Sequence, residues 1–310
     1  MKTERVSWVD GLRLPLVCAP MFGVSNAALV GAARRSGIAA ALPRHNYASR
    51  ADFQDALVCV MQDDGEHAGG RVAVNLSTRM EPADLADELA LCHELGVRCV
   101  ITAKGHPGVV IEQAHRRDMA VFCDVTSLPH ARKARDAGAD GLICIAQGGG
   151  GHSGRLHPMS MLAAIRNEFK GVLVLAGALG TGHDLLAAQA LGADLAYMGT
   201  RFIATTEAGS PGAYKEMLVS SGASDLVYTP MVNRVPANWL RPSLEAAGLS
   251  SDMTQPPEGH LDARPWLDIW SAGQSVECIH DIPSVSSLVD RLAREYAAAH
   301  QRLMHLRIRG

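Results

Sequence analysis

Short runs of aliphatic and β-branched residues recur along the chain, and between them apolar residues return every three or four positions. The first pattern predicts strands and the second amphipathic helices, so their alternation describes βαβ units and a parallel sheet. Strands are expected at 14–19, 38–41, 72–75, 99–102, 120–123, 141–145, 172–176 and 195–198. The run Val172-Leu173-Val174-Leu175-Ala176 has no polar face, as a strand buried on both sides requires.

Helices are expected between these runs. In 81–95, Leu85, Leu89 and Cys92 form one stripe, with Glu81, Asp84 and Asp87 near the N-terminal end, where a helix dipole favours negative charge. Segments 129–137 and 184–191 have the same character. Several units close on a glycine before the next strand: Ser36-Gly37-Ile38, Leu95-Gly96-Val97, Ala137-Gly138-Ala139-Asp140 and Leu191-Gly192-Ala193-Asp194. Glycine accepts the left-handed turn that ends a helix. The last two are near-copies, the weak internal repeat expected of a fold built from one recurring unit.

Eight strands favour a closed (β/α)8 barrel, the TIM barrel of the α/β class, over an open doubly wound sheet. After the eighth strand the pattern breaks from Thr205 to Ser275, a stretch rich in Pro, Gly and Ser that holds Trp239, Trp266 and Trp270. It leaves too little chain for another core. The expected division is a barrel from 1–206 and 276–310, with 207–275 inserted as a lid over the active site. A last helix is expected at 284–306.

Composition narrows the function classes. The chain has 310 residues, a size that α/β barrels use for one domain. It is 47% hydrophobic and 20% charged, with mean hydropathy +0.04 and a formal charge of -3. The basic residues are scattered, and Arg302, Arg307 and Arg309 read as a solvated helix end. This balance argues against nucleic-acid and membrane-surface partners. The longest apolar stretch, 172–179, is too short to cross a bilayer, and residues 1–10 lack an apolar signal core. Seven dispersed cysteines without a C-x-x-C pair read as reduced, mostly buried thiols, so the expected location is cytoplasmic. A homodimer is compatible with this composition.

The strongest local feature is Gln147-Gly148-Gly149-Gly150-Gly151-His152-Ser153-Gly154, directly after the sixth strand. Consecutive glycines lose much backbone entropy on folding, so such a run suits a place where backbone lies against something flat or charged. It leaves the C-terminal end of a barrel strand, the face that carries chemistry in this fold. His152 ends the run, and an imidazole suits a base or an anion stabiliser. A flexible surface loop with an incidental histidine has the same composition.

Two further loops, Ala176-Gly177-Ala178-Leu179-Gly180-Thr181-Gly182 and Met198-Gly199-Thr200-Arg201-Phe202, follow the seventh and eighth strands. These are the usual phosphate-cradle positions of the barrel, although the first also suits a tight turn. Asn75 ends the third expected strand and either bonds a ligand or caps the next turn. Asp124 closes the fifth, where it either bonds a ligand N–H or pairs with a neighbour. The remaining histidines, including His45, His106, His157, His183 and His260, lack metal-ligand spacing, so no metal is expected. No G-x-S-x-G, H-E-x-x-H or Walker motif is present.

These pieces together resemble the nitronate monooxygenase family, formerly called 2-nitropropane dioxygenases, which are FMN-dependent barrels. The similarity runs from about Leu14 to Thr206, with a further match at Ile269-Trp270-Ser271-Ala272-Gly273-Gln274. "GGGGHSG" and "MGTRF", in that order, make it specific. The resemblance makes His152 the catalytic histidine beside the flavin. It places Ala19, Pro20 and Met21 along the ring, with Asn75 bonding it and Gln147 and Gly151 near the histidine. Gly177, Ala178, Gly180, Gly199 and Thr200 would hold the FMN phosphate. Ser271, on the substrate side, and Gln274, toward the cofactor, would approach from the covering segment.

Two departures stand out. Some members carry lysine where this chain has Asp124; an ionised aspartate there opposes an anionic reduced flavin unless it is protonated or paired. The family's "SGG" is here Ala176-Gly177-Ala178. The resemblance implies oxidation of alkyl nitronates, the anions of nitroalkanes, to a carbonyl compound and nitrite with O2 as co-substrate. Related barrels point to an NAD(P)H-dependent FMN reductase acting on a quinone or an enoyl thioester. A flavin-binding barrel without chemistry is the non-enzyme reading.

Overall fold

The computed structural model describes residues 8–62, 69–103, 105–256 and 263–305. Of the residues discussed above, His260, Arg307 and Arg309 lie outside them, as do 1–7 of the N-terminal stretch and 257–262 of the inserted segment.

The described residues form eleven strands, β1 (Leu16–Cys18), β2 (Ala39–Pro43), β3 (Arg71–Ser77), β4 (Cys99–Ala103), β5 (Ala120–Val125), β6 (Gly141–Ile145), β7 (Gly151–His152), β8 (Val172–Ala176), β9 (Leu195–Met198), β10 (Leu226–Thr229) and β11 (Ala237–Leu240). Eight of them, β1-β2-β3-β4-β5-β6-β8-β9, pair in parallel and close on themselves, with Val17 opposite both Ala39 of β2 and Tyr197 of β9. The (β/α)8 barrel is therefore the fold. Alternate residues, among them Val17, Ala39, Ala41, Ala73, Ile101, Phe122, Ile143, Val174 and Tyr197, share one apolar cluster inside it. Their neighbours pack outward against the helices. Trp8 meets the Phe122 ring edge-on at 5.6 Å, and a Cβ at Gly141 would lie 2.5 Å from that ring, so β6 must begin with glycine.

The helices are α1 (Ala27–Arg35), α2 (Arg50–Gln62), α3 (Pro82–Glu94), α4 (Gly108–His115), α5 (Leu128–Asp136), α6 (Pro158–Glu168), α7 (Gly182–Ala190), α8 (Thr200–Ile203), α9 (Gly212–Ser220), α10 (Arg241–Ala246) and α11 (Val285–Met304). The expected stripe of α3 is buried. After α1, α3, α5 and α7 the chain turns at Gly37, Gly96, Gly138 and Gly192, with φ between 82° and 95°. Paired bonds such as Gly37 N–H to Arg34 O and Ile38 N–H to Ala33 O complete each cap. The sequence repeat has a structural role as well. Asp140 Oδ2 accepts from Val121 N–H (2.9 Å) and Asp194 Oδ2 from Leu173 N–H (2.8 Å), so each aspartate ties its strand to the previous one.

The third strand runs two residues past its expected end, which leaves Asn75 within β3 rather than capping a turn. Asp124 likewise lies inside β5. Among the described residues no helix is long and apolar enough to cross a membrane, and no cluster of His, Cys, Asp and Glu could hold a metal. The cysteines are unbonded; Cys59 and Cys278 are exposed and the other five buried.

Candidate active site

The C-terminal ends of the barrel strands surround a cavity of about 440 Å³, a size that suits a cofactor-sized ligand. Its wall brings together His152, Ala19, Pro20, Met21, Asn75, Asp124, Gly151, Gly177, Ala178, Gly199, Thr200 and Ser271.

The glycine-rich loop is held rather than loose. Gly148 and Gly151 sit at φ +84° and +70°. Gly148 O accepts from Ala178 N–H (3.2 Å) and Gln274 N–H (2.8 Å), and Gly149 O accepts from Asn238 Nδ2 (2.6 Å). A Cβ on Gly150 would stand 2.8 Å from Thr200 Oγ1 and 2.9 Å from Gly273 N, whose mutual hydrogen bond is 2.8 Å. The loop ends in β7, which pairs with β11, with Ala237 opposite His152. His152 is half-buried on the wall, its ring edge-on to Trp266 at 5.2 Å. Trp266 adopts φ +74°, an unusual conformation for a bulky residue, and packs on buried Trp239 at 4.3 Å. Its turn is clamped by Trp266 N–H to Ile269 O and by Arg264 to Asp268.

The β8 loop differs from expectation. Gly177 (φ +119°) and Ala178 (φ +57°) line the wall, but the Ala178 amide is committed to Gly148 O. Gly180 is off the wall: its N–H donates to Asp184 Oδ2 (2.9 Å), which also accepts from Thr181 N–H (2.8 Å). Gly182 N–H donates to Glu295 Oε2 (2.7 Å). The start of α7 thus meets the protein's own carboxylates; of the residues expected there to hold a phosphate, Gly177 and Ala178 lie on the cavity wall and Gly180 does not. Gly177, Gly199 and Thr200 line the cavity, and at the start of α8 Phe202 N–H (2.8 Å) and Ile203 N–H (3.2 Å) donate to Gly199 O. The guanidinium of Arg201 is buried on Asp281.

Gln147 and Gln274 are exposed and off the cavity wall; their N–H groups donate to Leu156 O (2.8 Å) and Gly148 O, and the Gln274 side-chain amide packs over Gly148. The expectation missed Tyr197, which hides in an apolar strand run, and the stacked pair Phe22 and His45, whose ring centroids are 5.4 Å apart. Phe22 directly follows the Ala19-Pro20-Met21 group, the only local signal for it.

Two polar atoms on this wall are out of contact with solvent and have no hydrogen-bond partner among the described residues, Asp124 Oδ1 and Tyr197 Oη. Asn75 Nδ2 donates to Ile101 O (3.2 Å). Burial pushes the Asp124 carboxyl up to about 7, and burial, then Asp124, push the Tyr197 phenol well up. Stranded polar groups cost folding free energy unless a ligand meets them, so this wall fits a group with its own donors and acceptors.

A closed barrel whose mouth combines a histidine, clamped glycine backbone and unsatisfied polar groups defines a cofactor-dependent barrel enzyme. Residues 46–295 match the family model described as nitronate monooxygenase. The chain belongs to that family of flavin oxidoreductases, whose cofactor is FMN. A relative from Mycobacterium tuberculosis (strain ATCC 25618 / H37Rv), named (3aS,4S,5R,7aS)-5-hydroxy-7a-methyl-1-oxo-octahydro-1H-indene-4-carboxyl-CoA dehydrogenase, is 29% identical over 237 residues, 76% of this chain and 65% of the relative. The chain therefore spans just under two thirds of that relative's length. FabK from Thermotoga maritima is similar in structure, with TM-score 0.77 and 23% identity over 98% of this chain and 99% of that one. Nitroalkane oxidase from Streptomyces ansochromogenes gives 0.73 and 23% over 96% and 99%. At these identities the two structures speak for the fold.

Proposed function

We propose that this chain oxidises alkyl nitronates to a carbonyl compound and nitrite, with molecular oxygen as co-substrate and His152 as base or anion stabiliser. The observation that carries the reading is His152 on the cavity wall of a nitronate monooxygenase family member, fixed there by β7. Bound FMN supplies the electron acceptor that a stabilised carbanion can reduce without a nicotinamide. Gly177, Gly199 and Thr200 would hold its phosphate through main-chain groups, Ala19, Pro20 and Met21 would flank the ring, and Asn75, Asp124 and Tyr197 would meet its polar edge. Below about pH 7 the carboxyl of Asp124 is mostly protonated and does not oppose negative charge on that ring. His152 handles the substrate's charge or proton, and Ser271 faces the substrate side.

The division of the chain follows from the same reading: residues 1–206 and 276–310 make the cofactor barrel and 207–275 the lid. In its support, the segment has its own apolar cluster around Val227, Trp239, Leu244 and Ile269, and it contributes Trp266 and Ser271 to the wall. The lid excludes water from the anion, which strengthens each hydrogen bond to it.

A second reading, an NAD(P)H-dependent FMN reductase acting on an enoyl thioester or a quinone, is favoured by the relative whose name specifies a carboxyl-CoA. Anaerobic stopped-flow mixing separates the two. A nitronate should bleach the flavin and yield nitrite once O2 is admitted, with NADH inert. Bleaching by NADH alone overturns the nitronate reading, and a purified protein that is colourless and refuses added FMN overturns both.

A further inference from the structure

We infer that this chain takes up a proton with its cofactor: FMN binds with Asp124 as the neutral acid, and cofactor affinity falls as the solution turns alkaline. The inference rests on FMN as the cofactor of the family and is independent of the substrate that is oxidised.

Three strands bring polar side chains to the cavity wall: Asn75 from β3, Asp124 from β5 and Tyr197 from β9. Asp124 Oδ1 and Tyr197 Oη are both out of reach of solvent and lack a hydrogen-bond partner among the described residues. Asn75 is settled differently. Its Nδ2 donates to Ile101 O (3.2 Å), a carbonyl that can only accept, so the amide's orientation is fixed and Oδ1 remains as an acceptor. The oxidised isoalloxazine ring carries one N–H and several acceptor atoms along its polar edges. One protein acceptor is enough for that N–H, and Asn75 supplies it. The ring's own acceptors need donors. The Tyr197 O–H is one, and Asp124 is another only when it is protonated. An ionised Asp124 would set an acceptor against an acceptor.

Charge points the same way. The phosphate tail of FMN brings about two negative charges near neutral pH, and among the described residues no lysine or arginine lines the cavity. A carboxylate here would add negative charge to an enclosed site with no cation to offset it. The other titratable groups on the wall are His45, His152, Tyr197 and Tyr214. From the strands around the pair come the thiols Cys18 on β1, Cys99 on β4 and Cys123 on β5, and burial keeps these and the Tyr197 phenol uncharged. β3 and β6 contribute only Asn75 and Ile145 to the wall. Burial by the protein alone pushes the Asp124 carboxyl up to about 7, and bound FMN takes it further from water, which moves it the same way.

Holoenzyme diluted into buffers from about pH 6 to about pH 8.5 releases FMN to equilibrium, and recovered flavin fluorescence gives the dissociation constant. The same series on Asp124→Asn, neutral at every pH, cancels ionisation of the phosphate and the histidines. The Kd of the unmodified protein relative to that of Asp124→Asn should rise about 10- to 30-fold across the interval. A second measurement needs no variant. The infrared C=O stretch of a protonated carboxyl, assigned with isotope-labelled aspartate, should be present in the holoenzyme at about pH 8. Its absence there overturns the inference. So does a Kd ratio that stays flat or falls with pH, the latter being the sign expected if an ionised Asp124 accepts from the ring N–H. Either result leaves nitronate oxidation standing, whereas a holoenzyme that passes both tests and yields no nitrite from a nitronate overturns the functional reading alone.

Discussion

The two glycine-rich loops at the barrel mouth look alike in sequence and do different work. Gly148–Gly151 bends around the cavity and delivers His152 to its wall, while Gly177–Gly182 turns away from the cavity after its first residues. From Gly180 onward its amides answer Asp184 and Glu295. A Cβ on Gly182 would collide with Leu292 O and lie 2.5 Å from Tyr296 N, both in the backbone of α11. Those glycines serve helix packing. A glycine run at a ligand-binding position thus needs its amides traced before it is read as a cradle.

The largest effect that would sharpen this contrast lies in the first loop. His152→Asn should lower nitronate turnover by about 100-fold or more while FMN stays bound, checked by steady-state rates and the flavin spectrum. Gly182→Ala should destabilise the protein by about 3 kcal/mol, read from urea unfolding, because backbone on α11 cannot retreat like a side-chain tip. If the variant is as stable as the parent, the packing account of the second loop fails.

Asp124, on the cavity wall at the end of β5, should make stability depend on pH. Its folded value of about 7 lies above the ordinary carboxylate value of 3.8, so the folded apoprotein binds more protons than the unfolded chain between those limits. Stability should fall as pH rises through that window, by about 2 kcal/mol between pH 5 and 7, and Asp124→Asn should remove the slope. Unfolding midpoints at several pH values check it. The smallest effect belongs to Asp184→Ala, which should cost about 1 kcal/mol of stability through the lost helix cap and leave FMN affinity nearly unchanged. A large loss of FMN would place the α7 start back in the cofactor site.

Much of the barrel was legible because buried parallel strands are apolar on both faces and helix ends need glycine, as at Gly138 and Gly192. The place of His152, Gly177, Gly199 and Thr200 at the barrel mouth was legible because each follows a barrel strand. Asn233 and Trp266 were not, since their closeness to His152 depends on a hairpin folding back across some 80 residues of sequence or more. Tyr197 was hidden because its hydroxyl interrupts no hydrophobic run. Gln147 and Gln274 sit next to the cavity in the chain but not in its lining, a distinction that sequence adjacency does not make.

The ladder between β7 and β11 has a mechanical corollary. The histidine and the roof above it belong to one hydrogen-bonded unit, so the β10–β11 hairpin cannot swing outward without dragging residue 152 or tearing main-chain bonds. Any opening of that hairpin would displace His152 as well.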